Sequence, residues 1–134
     1  MGLIKTISLP MLGDERGGLI AIEAQKNISF DIKRAYYIFG TKNDVIRGLH
    51  AHINLSQVMV CITGSCSVTL DDGFKREKMV LGSPDQGLLI ENLIWREMTD
   101  FSPDCVCLVL ASNHYDESDY IRDYSLFLNK VRKI

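Results

Sequence analysis

Apolar residues recur along this chain in short runs, many of them alternating with polar positions and cut by turn residues. Such runs, rich in Val, Ile, Tyr and Phe, are what half-buried strands look like. The pattern predicts strands over 4–9, 18–24, 32–39, 46–52, 56–63, 65–70, 74–80, 87–90, 94–98 and 106–111. Asp72-Gly73 is a hairpin signal, and Gly40, Gly64, Gly82 and Gly87 punctuate other runs. No helical period appears before Tyr120. The tail over 119–134, with Ile121, Tyr124, Leu126, Phe127, Leu128 and Val131, suits one short C-terminal helix or an ordered tail. Many short strands with turns between them predict an all-β sandwich or small barrel, and a double-sheet jelly roll fits their number. Two runs, Val58-Met59-Val60-Cys61-Ile62 and Val106-Cys107-Leu108-Val109-Leu110, are apolar on both faces and so need cover on both sides. A second subunit is the expected cover, hence a homodimer.

Composition narrows the class. The 134 residues support one domain over 1–134, and 46% hydrophobic content makes it globular. Fifteen basic against seventeen acidic residues, a net charge of −2, leave no basic excess for nucleic acid. No apolar run reaches the length of about 20 residues that spans a bilayer. The start, Met1-Gly2-Leu3-Ile4-Lys5-Thr6, lacks a signal-peptide pattern. Cys61, Cys66, Cys105 and Cys107 sit among strand formers and fit small buried thiols. A cytoplasmic protein with reduced cysteines is the expectation.

The candidate chemistry centres on Arg47-Gly48-Leu49-His50-Ala51-His52. On a strand, His50 and His52 point the same way. Two adjacent imidazoles make half a metal site or a proton-handling site. Gln57 and Gly64 follow at the spacing of the first cupin motif, in which two His and a Glu are metal ligands. Here Gln57 stands at the Glu position, and an amide is a poorer ligand than a carboxylate. Near the place of the last cupin His stands Arg96, which has no lone pair to donate. The other histidine, His114, lies in a polar segment. The residues therefore favour proton handling without a metal.

A closer resemblance covers nearly the whole chain. Its segments are 16–23, Lys33-Arg34-Ala35-Tyr36-Tyr37-Ile38-Phe39, Arg47 to His52 with Gln57, 64–73, Trp95-Arg96-Glu97-Met98, and the tail Tyr115-Asp116-Glu117-Ser118-Asp119-Tyr120-Ile121-Arg122. The chain resembles the WxcM-like cupin group of sugar-nucleotide 3,4-ketoisomerases, which act on dTDP-4-keto-6-deoxyglucose. The resemblance implies a jelly-roll homodimer (a double-stranded β-helix), a dTDP-sugar substrate, no cofactor, and a role in making deoxysugars for surface glycans or secondary metabolites. Moving a ketone from C4 to C3 needs a base at carbon and a shuttle between two oxygens, and two imidazoles supply both. His50 and His52 are thus the catalytic candidates. Arg96 and Tyr37 are candidates to hold enediolate charge. Arg16, Arg34 and Arg47 are candidates for the pyrophosphate, with Gln57 and Trp95 as further substrate contacts. Tyr37 is equally a core residue by its alternation with Ala35 and Phe39. Arg34 and Tyr37 cannot share a face of a regular strand, and Arg47 reaches the site only if Gly48 bends its strand or if it lines the thymidine end of the cleft. Trp95 also suits core, and the acidic run Asp116, Glu117 and Asp119 suits a solvated face with caps. Ile53 stands where many family members carry a basic residue. A 3,5-epimerase of the same keto-sugar, a non-catalytic sugar-binding module and a metal-dependent cupin are the competing readings.

Overall fold

The computed structural model describes residues 2–42 and 44–133. Met1, Asn43 and Ile134, inside the expected 1–134 domain, lie outside the described residues. Two five-stranded antiparallel sheets face each other. The chain enters through β1 (Lys5–Ser8), makes a small hairpin of β2 (Leu12–Asp14) and β3 (Gly17–Leu19), and continues into β4 (Arg34–Phe39) and β5 (Arg47–His52). Then come β6 (Gln57–Thr63), β7 (Cys66–Asp71), β8 (Arg76–Leu81), β9 (Gln86–Ile90), β10 (Trp95–Thr99) and β11 (Val106–Ala111). A 3₁₀ turn over Glu117–Asp119, a short β12 (Tyr120–Ile121) and one helix, α1 (Tyr124–Arg132), close the chain. The first sheet runs β1-β9-β6-β11-β4 and the second β12-β5-β10-β7-β8. This is the jelly roll that the strand pattern predicts.

Alternation explains the core. On β7, Cys66, Val68 and Leu70 point inward. They meet Met59 and Cys61 of β6, Cys107 and Val109 of β11, and Leu88 and Ile90 of β9. The outer face of the second sheet is closed by α1, whose Phe127 is fully buried against Ala51 and Trp95. Asp123 caps the helix by accepting from the Leu126 N–H.

The expected strand over 18–24 is shorter than the pattern suggests. Only Gly17–Leu19 pairs, and residues 20–23 leave the ladder. Their apolar side chains serve packing instead. Ile22, with buried Ile28, Phe30 and Ile32, covers Val58 and Leu110 on the outer face of the first sheet. The two-faced apolar runs on β6 and β11 are therefore covered partly by the chain itself. Beyond that cover an apolar groove of about 480 Å³ stays open, bordered by Met11, Leu19, Ile20, Val60, Ile62 and Leu108.

A polar cluster under α1 ties the helix to the β7–β8 turn. The Asp71 carboxylate, 2% exposed, accepts from the Gly73 N–H at 2.7 Å, from Arg76 Nε at 2.8 Å and from the Tyr124 hydroxyl at 2.6 Å. Asp71→Ala leaves three donors without their anion. Hydrogen bonds to charged groups contribute about 1.5–3 kcal/mol each, and the half-exposed Arg76 recovers part of its share from water, so a loss of about 2–3 kcal/mol is expected. Urea unfolding measures it. A loss under about 0.5 kcal/mol would show that apolar packing alone holds the helix.

Candidate active site

His50 and His52 stand on the inner face of β5 with ring centroids 4.9 Å apart, while Ala51 between them turns outward beneath α1. Each ring is held at Nδ1. His50 Nδ1 lies 2.9 Å from the Gly48 carbonyl oxygen, and His52 Nδ1 lies 3.1 Å from Asp119 Oδ2. A carbonyl or carboxylate can only accept, so both Nδ1 atoms carry the proton and both Nε2 atoms keep the lone pair. The Tyr120 ring packs on both imidazoles, at 5.0 Å from His50 and 4.4 Å from His52.

The cation of the site comes from the next strand. Arg96 of β10 pairs in register with His50, which sends its side chain between the sheets. The residue is 2% exposed. Its Nη1 donates to Oε1 of Gln57, and its Nη2 to the Ile94 carbonyl at 3.3 Å. Neither acceptor is an anion. Burial lowers the Arg96 pKa to about 10, so the guanidinium is still charged at neutral pH. The Nε2 of Gln57 donates to the Tyr36 hydroxyl at 2.9 Å. The tyrosine oxygen accepts that bond, so its own O–H proton remains to be donated. Burial raises the Tyr36 pKa, against an opposing pull from Arg96, and keeps the phenol protonated. Arg34 lies 5.3 Å from the centre of the Tyr36 ring.

A cleft of about 360 Å³ opens over this group, bordered by Arg34, Tyr36, Tyr37, Arg47, His50, Tyr120 and Arg122. Buried polar side-chain atoms without a partner, among the described residues, are His50 Nε2, His52 Nε2, Arg34 Nε, Arg96 Nε and Thr41 Oγ1. Four of these five belong to this one cluster. Unpaired buried polar atoms are costly, and their convergence marks a place built to meet a polar ligand.

The structure brings together His50, His52, Gln57, Arg34, Arg47 and Arg96. Arg47 arrives through a bulge. Gly48 at φ +89° and Leu49 at φ +55° put two residues of β5 opposite one step of β10, so Arg47 pairs with Met98 on the inner side. The bend at Gly48 that this residue requires is therefore present.

Two candidates, Trp95 and Arg16, are placed elsewhere, and a third, Tyr37, lies at the rim of the cleft. Tyr37 borders the cleft from the outer side of β4, 64% exposed and ring to ring with Phe39, while Arg34 and Tyr36 take the inner side. Trp95 faces away from the cleft, packs on Tyr124 and Phe127, and donates to Glu97. Arg16 is exposed on the β2–β3 hairpin, where it pairs with Asp14 at 2.6 Å. Two residues of the cluster, Tyr36 and Asp119, are not among the candidates that the sequence offers: Tyr36 stands beside Tyr37 on β4, and the acidic run around Asp119 suits a solvated face. Asp116 and Glu117 do keep to that face, as a cap and as the partner of Arg122. Asp119 does not, because β12 pairs with β5 and lays Tyr120 beside His52. The available signal was the aromatic–apolar pair Tyr120-Ile121 after the acidic run, too short to read as a strand.

The donor set does not suit a metal ion. The Gln57 oxygen is taken by Arg96, and a cation between the imidazoles would face that guanidinium.

Residues 3–132 match the family model FdtA: WxcM-like, C-terminal. A TDP-4-oxo-6-deoxy-alpha-D-glucose-3,4-oxoisomerase from Aneurinibacillus thermoaerophilus is 53% identical over 130 residues, 97% of this chain and 94% of that one. A 3,4-ketoisomerase from Helicobacter canadensis superposes with a TM-score of 0.94 at 46% identity, covering 96% of this chain and 97% of the other. A variant of the 3,4-ketoisomerase QdtA from Thermoanaerobacterium thermosaccharolyticum, solved in complex with TDP-4-keto-6-deoxyglucose, gives 0.96 at 41% identity, covering 99% and 96%.

The electrostatics make a spectroscopic prediction. Burial first and Arg96 second push His50 from 6.5 down to about 4. The same two causes lower His52, against the Asp119 carboxylate, which favours the charged ring. Nitrogen-detected NMR should find both rings neutral at pH 6, each with its proton on Nδ1. The unfolded chain takes up protons near 6.5 that the native His50 refuses until about 4. Stability from this group is therefore full above about 6.5 and lost as pH falls through that window. An imidazolium at pH 6 on either ring would contradict the arrangement.

Proposed function

The chain belongs to the FdtA family (WxcM-like, C-terminal), and from that premise we propose that it is a sugar-nucleotide 3,4-ketoisomerase that moves the ketone of TDP-4-keto-6-deoxyglucose from C4 to C3. The observation that carries the reading is a buried, still-charged Arg96 beside two neutral imidazoles whose Nε2 atoms lack partners. A keto–enediol–keto exchange needs this combination. One Nε2 lone pair takes the proton from C3, next to the carbonyl. The electrons move onto O4, and the negative charge of the enediolate falls beside a guanidinium held in place in advance. The second imidazole carries protons between O3 and O4. Returning a proton to C4 leaves the carbonyl at C3.

The remaining residues act by position. Asp119 fixes the His52 tautomer and orientation. Gln57 orients Arg96 with one end of its amide and Tyr36 with the other. Tyr36, rather than Tyr37, is the phenol that can donate to a sugar oxygen. Arg34, Arg47 and Arg122 border the cleft and suit the pyrophosphate, since Arg pairs with phosphate through two parallel bonds. The reaction needs no metal or cofactor from this donor set. The open apolar groove on the first sheet supports a homodimer as its cover. A single cupin domain over 1–134 and a cytoplasmic location go with this reading.

The substrate incubated in deuterated water and followed by NMR tests the reaction. A product with its carbonyl at C3 is expected, whereas inverted C3 and C5 with the carbonyl still at C4 would make the protein an epimerase. His50→Asn and His52→Asn should each fold and lose about 10²–10⁴-fold in kcat. Near-normal turnover in either would remove that residue from the mechanism.

A second pair of variants separates the two tyrosines. Tyr36→Phe should lower kcat by about tenfold or more, as expected when a hydrogen bond to developing charge is lost. Tyr37→Phe should leave kcat within about twofold, because its exposed hydroxyl stands at the rim of the cleft and makes no bond to the buried cluster. The reverse ranking would return the role to Tyr37.

A further inference from the structure

Four cysteines that this chemistry does not use meet at the other end of the sandwich. The Sγ of Cys61 lies 3.8 Å from that of Cys66 and 3.7 Å from that of Cys105, and the three sulfurs all lie within 4.8 Å of one another. Cys107 is the cross-strand partner of Cys61 and makes sulfur contacts with Cys61 and Cys66. All four are reduced and buried. They come from β6, β7, the loop before β11 and β11 itself, and they are every cysteine in the chain. On β7, Cys66 stands four positions from Leu70, the register partner of Arg96. At the rise of a strand that is roughly 14 Å from the imidazole end.

Single buried cysteines pack as small hydrophobes. Convergence of three chain segments on one sulfur cluster is a different arrangement. In a tetrahedral zinc site, with Zn–S about 2.3 Å, neighbouring sulfurs are about 3.8 Å apart. The Cys61–Cys66 and Cys61–Cys105 separations have that length.

We propose that Cys61, Cys66 and Cys105, with Cys107 as the fourth sulfur, hold one zinc ion that ties β6, β7 and β11 together. Each thiol that binds gives its proton to water, so four thiols and one Zn²⁺ yield a tetrathiolate complex and four protons with no change of redox state. The ion enters during folding. The turn above the cluster is closed: Gly64 adopts φ +70°, and a Cβ there would lie 2.6 Å from Cys105 Cα. The Ser65 N–H donates to Ser102 Oγ at 2.9 Å, and Ser102 in turn donates to Asp104. Chelators therefore leave the native protein and its turnover unchanged. The site stands or falls independently of the ketoisomerase assignment.

The test uses the full chain made in zinc-containing medium and gel-filtered in EDTA. Mass spectrometry of the metal should find about one zinc per chain, the stoichiometry of a closed four-sulfur site. The protein is then unfolded in chelator and refolded with zinc, with Co²⁺ or without metal. Refolding with Co²⁺ should give thiolate-to-cobalt charge-transfer absorption with tetrahedral d–d bands. The zinc-refolded chain should melt at least about 5 °C above the metal-free one, because binding to the native state alone raises Tm. The Cys66→Ala, Cys105→Ala double variant should lose the metal, while the His50→Asn, His52→Asn double variant keeps it. The cobalt spectrum of the unaltered chain decides the matter even if the cysteine variant does not fold. Absence of zinc in the isolated protein together with no charge-transfer band overturns the proposal. So does metal that survives the cysteine changes and disappears with the histidines.

Discussion

The desolvated guanidinium of Arg96 is the constraint around which the site is arranged. A buried cation costs several kcal/mol unless polar groups surround it. Its bonds go to the Gln57 amide and the Ile94 carbonyl, which satisfy hydrogen-bonding but do not neutralise charge. Three consequences follow. The Gln57 amide can point only one way, oxygen to Arg96 and nitrogen to Tyr36. The two imidazoles beside the cation stay neutral. The remaining positive potential is aimed where an enediolate would carry its negative charge. The same cation thus makes bases of the histidines and prepares the site for the anion they generate.

The inner faces of the sheets grade from polar to apolar along each strand. On β4 the order is Arg34, Tyr36, Ile38; on β6 it is Gln57, Met59, Cys61; on β10 it is Arg96, Met98. The apolar end supplies burial, at about 25 cal/mol for each Å² removed from water. The polar end gives up such burial and leaves buried atoms unpaired. A sandwich lets both coexist because strand ladders bind the two ends into one ordered body. The helix contributes from outside, where Phe127 and the Asp71 cluster hold the second sheet against α1 and fix the strand that carries the histidines.

The sequence determined what depends on local period and residue type. The strand count came close, the fold class followed from it, and alternation alone put His50 and His52 on one face. Residue chemistry alone argued against a cupin metal site, because Gln57 and Arg96 are the wrong donors. Tertiary structure decided the rest. Both faces of β4 carry aromatic and apolar residues, so nothing local tells whether Tyr36 or Tyr37 points inward; packing against the facing sheet chooses the set of Arg34, Tyr36 and Ile38. Arg47 reaches the inner side through a bulge defined only against β10. Trp95 is adjacent to Arg96, yet belongs to the helix side because the same period separates neighbours. Asp119 meets His52 across 67 positions of chain, and the four cysteines converge from three segments. Such pairings are set by which strands lie side by side, and single-strand periodicity carries no information about that.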